Sequence, residues 1–442
     1  MTNADTPDTR KLAQLQALRQ HKAALKDRLM AKMHAERVWE ARRKEKLLRG
    51  DTPHIVFVCH RPSLWGSLKT VFESLLADER CRVSIVAIPN KKQLPDLGLS
   101  HQVYIDEGAY EFFTQYICPV FRGYDEHTGQ WKDVRGLEPD YVFFQTPYND
   151  CRPPAYASDA VARYARLGYV HYGFLIFGGG VAANSYPQDF LKDLSFIFCE
   201  TEWHRAHLAT RQEPVPEFDR ARLPLTGYPR FDTLAHAGPV ESPAWNAPRA
   251  PGRFRVLWTP RWSIGEKNSH FLEYKDRFLE LCDTDPSLDM VCRPHPQTFL
   301  SFIAAGKMTE ADVEAYTQAH AARDNASLDL RGEYQDTFLS SDVLVSDISS
   351  ILPEYLLTGK PIIYCHRTDW FNELGEQLAE GFYWARSWDE VTALLRQLRD
   401  GNDPLRDVRQ TVTRSLLYVP ETGAGKAVSE RLLKHFYEGV MP

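Results

Sequence analysis

The sequence predicts two doubly wound α/β domains with a cleft between them, preceded by one long helix. Three observations predict it. At 442 residues the chain exceeds the roughly 100–200 residues of a single domain. Short apolar β-rich runs alternate with helical stretches, a grammar that implies βαβ units and a mostly parallel sheet. That grammar runs once from Asp51, stops at a segment rich in proline, and restarts after it.

Residues 10–49 read as one helix. Leu15, Leu18, Leu25, Leu29 and Met33 fall on a narrow stripe, and Arg19, Lys22, Lys26, Arg28 and Lys32 surround it. Three readings stay open for this leader: packing on its own body or on a second copy, attachment to an anionic lipid surface, or a solvated extension. Residues 1–50 carry a net charge of +7 and the remainder −13. An acidic body with a basic leader does not fit a general nucleic-acid binder.

In the first domain, residues 51–235, strands are expected at His54–Cys59, Val83–Pro89, Gln102–Ile105, Tyr141–Gln145, Gly168–Tyr172, Phe196–Cys199 and Leu223–Thr226, with a helix at Leu68–Leu76. Pro239, Pro243, Pro248 and Pro251 mark residues 236–252 as a linker. The second domain, 253–442, offers strands at Phe254–Thr259, Met290–Cys292, Ser327–Leu330, Val343–Ser346 and Pro361–Cys365, and a helix at Ser350–Thr358. Eight scattered cysteines without a CxxC pair read as buried thiols of a reducing compartment. The polar start Met1–Arg10 has no signal-peptide core, and no stretch reaches the ~18 apolar residues of a membrane span. A cytoplasmic protein is expected, peripheral on the inner face of the membrane under the lipid-attachment reading of the leader.

In open α/β sheets ligands bind beyond the carboxyl ends of strands, and four clusters stand there. His171 followed by Gly173 and Phe177–Gly180 offers a general base beside a loop that permits close backbone approach. Thr226–Asp232 reads as a turn ending the first domain. Arg293 and His295 in Arg293-Pro294-His295-Pro296 aim donors from a fixed loop, and an arginine fork suits phosphate. Ser346-Asp347-Ile348-Ser349-Ser350 ends a strand and begins a helix, so Ser349 and Ser350 are expected to cap it and its amides to favour an anion. Walker A, GxGxxG, HExxH and GxSxG patterns are absent, as is metal-ligand spacing, and no cofactor is expected. His34, His127 and His320 read as isolated surface residues.

The order of these clusters resembles the CDP-glycerol glycerophosphotransferase family, the teichoic-acid polymerase and primase type, over roughly residues 140–390. Thr226–Asp232 is similar to its GYPR-x-D segment, and Leu257–Trp262 to its APTW strand end. Arg293 and His295 match R-x-HP; Ser346, Asp347, Ser349 and Ser350 match S/T-D-x-S-S. The first cluster departs from the family's His-Gly-Thr-Pro, with one residue inserted between His171 and Gly173 and no Thr-Pro. The resemblance implies a GT-B fold and a CDP-activated polyol donor. By it, His171 deprotonates a hydroxyl of a polymer or lipid-linked acceptor, which attacks the donor's β-phosphate and expels CMP. Arg293, His295, Ser346, Asp347, Ser349, Ser350, Thr259 and Arg261 would serve the donor without a metal, His295 also acting in catalysis. Arg61, Gly173, Gln145 and Tyr148 would line the acceptor side. Two alternatives stand beside this reading: a glycosyltransferase using a nucleotide-sugar donor in capsule or O-antigen-type synthesis, and a non-catalytic scaffold.

Overall fold

Fully buried runs of branched and aromatic residues build two parallel sheets. A computed structural model describes residues 7–93, 102–179, 185–211, 222–235, 237–238, 240–263, 265 and 267–439. Gly180 and Pro239, singled out above, lie outside the described residues. The first ten strands are β1 (His54–Cys59), β2 (Arg82–Ala87), β3 (Asn90–Gln93), β4 (Gln102–Ile105), β5 (Val120–Arg122), β6 (Tyr124–Asp125), β7 (Gln130–Trp131), β8 (Tyr141–Phe144), β9 (Arg166–Val170) and β10 (Phe196–Phe198). Six of them form a parallel sheet in the order β10-β9-β8-β1-β2-β5. In β1 every residue is buried, as expected of a strand covered on both faces.

The second sheet contains β11 (Phe254–Thr259), β12 (Leu288–Cys292), β13 (Ala326–Leu328), β14 (Val343–Ser346), β15 (Ile362–Cys365) and β16 (Tyr383–Ala385). Its order is β13-β12-β11-β14-β15-β16, again all parallel. Two doubly wound domains are therefore what the chain builds. Gln102–Ile105 is a strand, as expected, but it pairs antiparallel with β3 outside the main sheet. Leu223–Thr226 contributes only an isolated bridge from Leu225 to Cys199.

Three departures from the sequence reading have clear physical causes. His320 is buried, not superficial: its ring meets that of Tyr316 edge-on at 4.6 Å, and burial lowers its pKa to about 4. The proline-rich linker is docked rather than loose. Trp245 donates from Nε1 to Ser340 Oγ at 2.8 Å, and the Arg255 guanidinium covers its ring at 4.9 Å. The chain also leaves the second domain at its end. The last helix, Ala424–Tyr437, packs Val428, Leu432, Leu433 and Phe436 into the core of the first sheet, together with Val71, Phe72 and Leu75. Asp232 anchors it, accepting the N–H groups of Ala424 at 2.7 Å and Gly425 at 2.8 Å and the hydroxyl of Thr70 at 2.7 Å. The terminal Asp of the Thr226–Asp232 segment thus serves structure, holding the crossover.

The leader is a single helix, Pro7–Arg49, about 65 Å long at 1.5 Å per residue. Its final turns dock on the first domain. Trp39 is buried between Tyr141 and His435 and donates to the Asp140 carbonyl at 3.0 Å, while Lys46 pairs with the Asp140 carboxylate at 2.6 Å. Further out, Leu18 and Met30 are 50% and 58% exposed, and the Leu15 and Leu25 side chains are outside the described set. Among the described residues no helix is long and apolar enough to cross a membrane. All eight cysteines are free, five of them buried.

Candidate functional site

The strand-end loops of the two sheets meet face to face. In the second domain the loop after β11 rests on a buried carboxylate. Asp347 accepts the backbone N–H groups of Arg261 at 2.8 Å and His270 at 3.1 Å, and His270 Nδ1 at 2.5 Å. Thr259 Oγ1 donates to Ser346 Oγ at 2.8 Å, and Ser346 Oγ donates to the Asp347 carbonyl at 2.7 Å. Thr259, Ser346 and Asp347 are all buried. Of these three expected donor residues, Thr259 and Ser346 bond to each other, and the Asp347 carboxylate holds the Arg261 loop in place.

Arg293, also expected on the donor side, has partners within its own domain. Its Nη1 pairs with Asp329 at 2.7 Å, and Nη2 donates to the carbonyls of Arg331 and Gly332. The terminal nitrogens of the fork are thus turned into the loop rather than toward a ligand. Ser349 and Ser350 do not cap a substantial helix either. The N-cap falls on Ile351, the helix Leu352–Leu356 has five residues, and Ser349 Oγ accepts the Ile351 N–H at 3.4 Å. Ser350 stays half-exposed at the mouth of the cleft.

His295 is the second-domain residue whose chemistry is best defined. Its Nδ1 accepts the Gln297 N–H at 3.1 Å, so the proton of the neutral ring sits on Nε2. The ring is exposed to the cleft and stacks on Trp262 at 5.8 Å. Its pKa falls to about 4 because packed protein surrounds it and because Arg261 and Arg61 place positive charge nearby. Arg61 belongs to the first domain, so this cluster spans the cleft.

On the first-domain side, Gln145 clamps the loop after β1. Its Oε1 accepts the N–H groups of His60 at 2.7 Å and Arg61 at 2.9 Å, and its Nε2 donates to the Arg61 carbonyl at 2.9 Å. Gln145, expected on the acceptor side, braces this loop. Arg61 also pairs with Glu107 at 3.1 Å. Tyr148 bonds hydroxyl to hydroxyl with Tyr172 at 3.0 Å.

His171 ends β9 and is buried. Its Nδ1 lies against the backbone of Gly173, whose N–H is 3.2 Å away, and its Nε2 faces the Ser185 carbonyl at 3.2 Å. Tyr172 and Tyr186 sandwich the ring at 4.9 and 4.8 Å. Burial lowers its pKa to about 4, so the ring is neutral at neutral pH. Gly173 lies close to the other domain: a Cβ there would stand 3.7 Å from Ser350, an ordinary van der Waals separation. The following residues are stitched to the second domain, Gly178 N–H to the Trp370 carbonyl at 2.8 Å and Asn372 N–H to the Ile176 carbonyl at 2.9 Å.

Sequence reasoning passed over several groups here. Glu200, two residues beyond β10, is buried with its Oε1 unpartnered, and desolvation raises its pKa to about 8. Its place at a strand end after Phe196–Cys199 was the available signal. His270 left none, since its partner Asp347 lies 77 residues away. Arg230, within the GYPR segment, crosses the cleft to Tyr334 at 2.7 Å.

Comparison with solved structures supports the fold. UDP-GlcNAc 2-epimerase from Neisseria meningitidis, bound to UDP-GlcNAc, aligns with TM-score 0.54 and 13% identity over 87% of this chain and 100% of that one. The S. aureus MnaA–UDP structure gives 0.54 and 13%, covering 87% and 96%. The wall teichoic acid polymerase TagF gives 0.54 and 13%, covering 94% and 99%. No curated protein sequence matches the chain. Residues 214–383, the segment that contains GYPR, R-x-HP and S-D-x-S-S, match the model of the CDP-glycerol:poly(glycerophosphate) glycerophosphotransferase family.

Proposed function

We propose that the protein transfers a polyol-phosphate unit, glycerol phosphate first, from a CDP-activated donor to a hydroxyl of a cell-surface polymer or its lipid-linked precursor, releasing CMP. The observation that carries the reading is that Arg61 of the first domain and Arg261 of the second both place positive charge near His295. The match of residues 214–383 to the family model supports the donor class, as does the likeness to TagF, which has also been solved with CDPG.

In this reaction the acceptor oxygen forms a bond to the β-phosphorus, and the bond from that phosphorus to the bridging oxygen breaks. CMP leaves with the electron pair. The acceptor's proton goes to His171, which must first release one ring nitrogen from its backbone contact at Gly173 or Ser185. Arg61 and Arg261 offset charge on the pyrophosphate, and His295 Nε2–H donates to an oxygen of the leaving phosphate. Fixed donors of this kind stabilise charge at the transition state without reorganising, and losing one costs ~10²–10³ in rate. The chemistry so described rests on positioning and fixed charge, without a metal. The basic outer leader is the part suited to an anionic lipid surface, which would place the enzyme on the membrane's inner face beside a lipid-linked acceptor.

The test is CMP release from CDP-glycerol with and without a polyol-phosphate acceptor lipid, in the presence of chelator. Acceptor-dependent release that falls ~10²-fold in His295→Ala is expected. Absence of release by the wild type, beside release from a nucleotide sugar, would overturn the donor assignment.

A further inference from the structure

The turn Pro229–Phe231 sends three alternate side chains in three directions. Tyr228 donates its hydroxyl to the Tyr172 carbonyl at 3.1 Å, one residue from His171. Asp232 holds the last helix. Arg230, between them, is buried in the first domain, and the carboxylate that answers its charge lies in the other domain. Arg230 Nη1 donates to Tyr334 OH at 2.7 Å, and Tyr334 OH donates to Glu354 Oε2 at 2.6 Å. A phenol both accepts and donates, so Tyr334 joins a guanidinium to a carboxylate that have no direct bond. Glu354 is buried, which raises its pKa, while Arg230 opposes that rise.

Two further contacts fix this arrangement. The Tyr334 ring faces the Arg293 guanidinium at 5.2 Å and that of Arg230 at 5.8 Å. Gly66 admits Arg230: a Cβ at that glycine would stand 2.9 Å from Arg230 Cζ. Glu354 sits four residues after Ser350, which meets Gly173. The contacts therefore close a circuit: from the His171 loop through Tyr228 to Arg230, across to Tyr334 and Glu354, and back through Ser350 to Gly173. Buried charges that compensate only across an interface resist its opening, because separating them leaves each uncompensated.

We propose that Arg230, Tyr334 and Glu354 form an interdomain latch, with Tyr334 a positioning residue that holds the His171 loop against the Ser349–Ser350 loop. Its catalytic consequence rests on the transfer reaction proposed above; the latch itself does not.

The experiment is amide hydrogen exchange on full-length wild type, Tyr334→Phe and Glu354→Gln, alongside CMP release. Tyr334→Phe should speed exchange ~10-fold in residues 172–178, remote in sequence from the substitution, and leave 54–59 and 343–346 unchanged, consistent with losing bonds to charged groups. The rate at saturating donor should fall ~10-fold with the donor KM within about twofold. Unchanged exchange at 172–178, or equal acceleration in both sheets, overturns the latch. Should Tyr334→Phe fail to fold, Glu354→Gln, which keeps an oxygen acceptor but no charge, decides by the same segments. Wild type without CMP release would defeat the proposed function while exchange still decides the latch.

Discussion

Replacing Asp232 by alanine tests how the crossover is held. The carboxylate accepts two N–H groups from the first turn of the helix Ala424–Tyr437 and one hydroxyl from Thr70. Those amides are among the four that a helix leaves without intrahelical partners, and a negative charge at that end is favoured by the helix dipole. Removing a capping side chain costs about 0.5–2 kcal/mol, and the lost bond from Thr70 adds roughly 1 kcal/mol. A total of about 1.5–3 kcal/mol follows. The helix also buries Val428, Leu432, Leu433 and Phe436, each worth about 1.5–3 kcal/mol, so it stays docked and frays from its start. Urea unfolding should show the lower stability. Native-state exchange of amides 424–428 should quicken by ~10–100-fold, at 1.4 kcal/mol per factor of ten, while amides 432–436 change less. Asp232→Asn, which retains one acceptor oxygen, should lose about half as much. A loss under ~0.5 kcal/mol, or exchange unchanged at 424–428, would refute the assignment of Asp232 as the anchor.

Two other perturbations follow from the buried groups. His60, His171, His204, His320 and His435 have pKa values lowered by burial to between about 3 and about 4, below the ordinary 6.5. The unfolded chain therefore takes up protons first as pH falls, so stability is full above pH 6.5 and is lost progressively toward pH 4; for His171 alone the shift corresponds to roughly 3 kcal/mol. Glu200, raised to about 8, and the buried Glu354, also raised, work in the opposite sense, but they are outnumbered by the five histidines. A urea midpoint that stays level from pH 7 to pH 4.5 would contradict this. Trp39→Ala should cost about 3–5 kcal/mol through lost packing on Tyr141 and His435, and expose the leader to proteolysis near residue 40. Resistance of that segment equal to wild type would show that the leader is held otherwise.

How legible all this was in the sequence depended on range. β11 and β14 were readable because Phe254–Thr259 and Val343–Ser346 are unbroken apolar runs, buried on both faces of the sheet. β5 and β16 were not, being three-residue edge strands whose pairing is set by β2 and β15. Gln102–Ile105 has strand composition, but its partner β3 is chosen by a hairpin that composition does not reveal. The positions of His171, Arg293, His295 and Asp347 at strand ends were legible for the same reason as the strands. Their bonding was not. Arg293 is claimed by Asp329, 36 residues on, and Asp347 by His270, 77 residues back, and no local pattern encodes either pairing.

The docking of both the first and last helices on one domain has a mechanical consequence. Trp39 stacks on His435 at 5.3 Å, and Arg43 donates to the Phe436 carbonyl at 2.5 Å, so the two ends of the described chain are fastened to each other and to the first sheet. The second domain is thereby an excursion from the first, entered near residue 236 and left near residue 423. Whatever grips the leader therefore holds the first domain directly, and reaches the second only through those two crossings and the hydrogen bonds that join the domains.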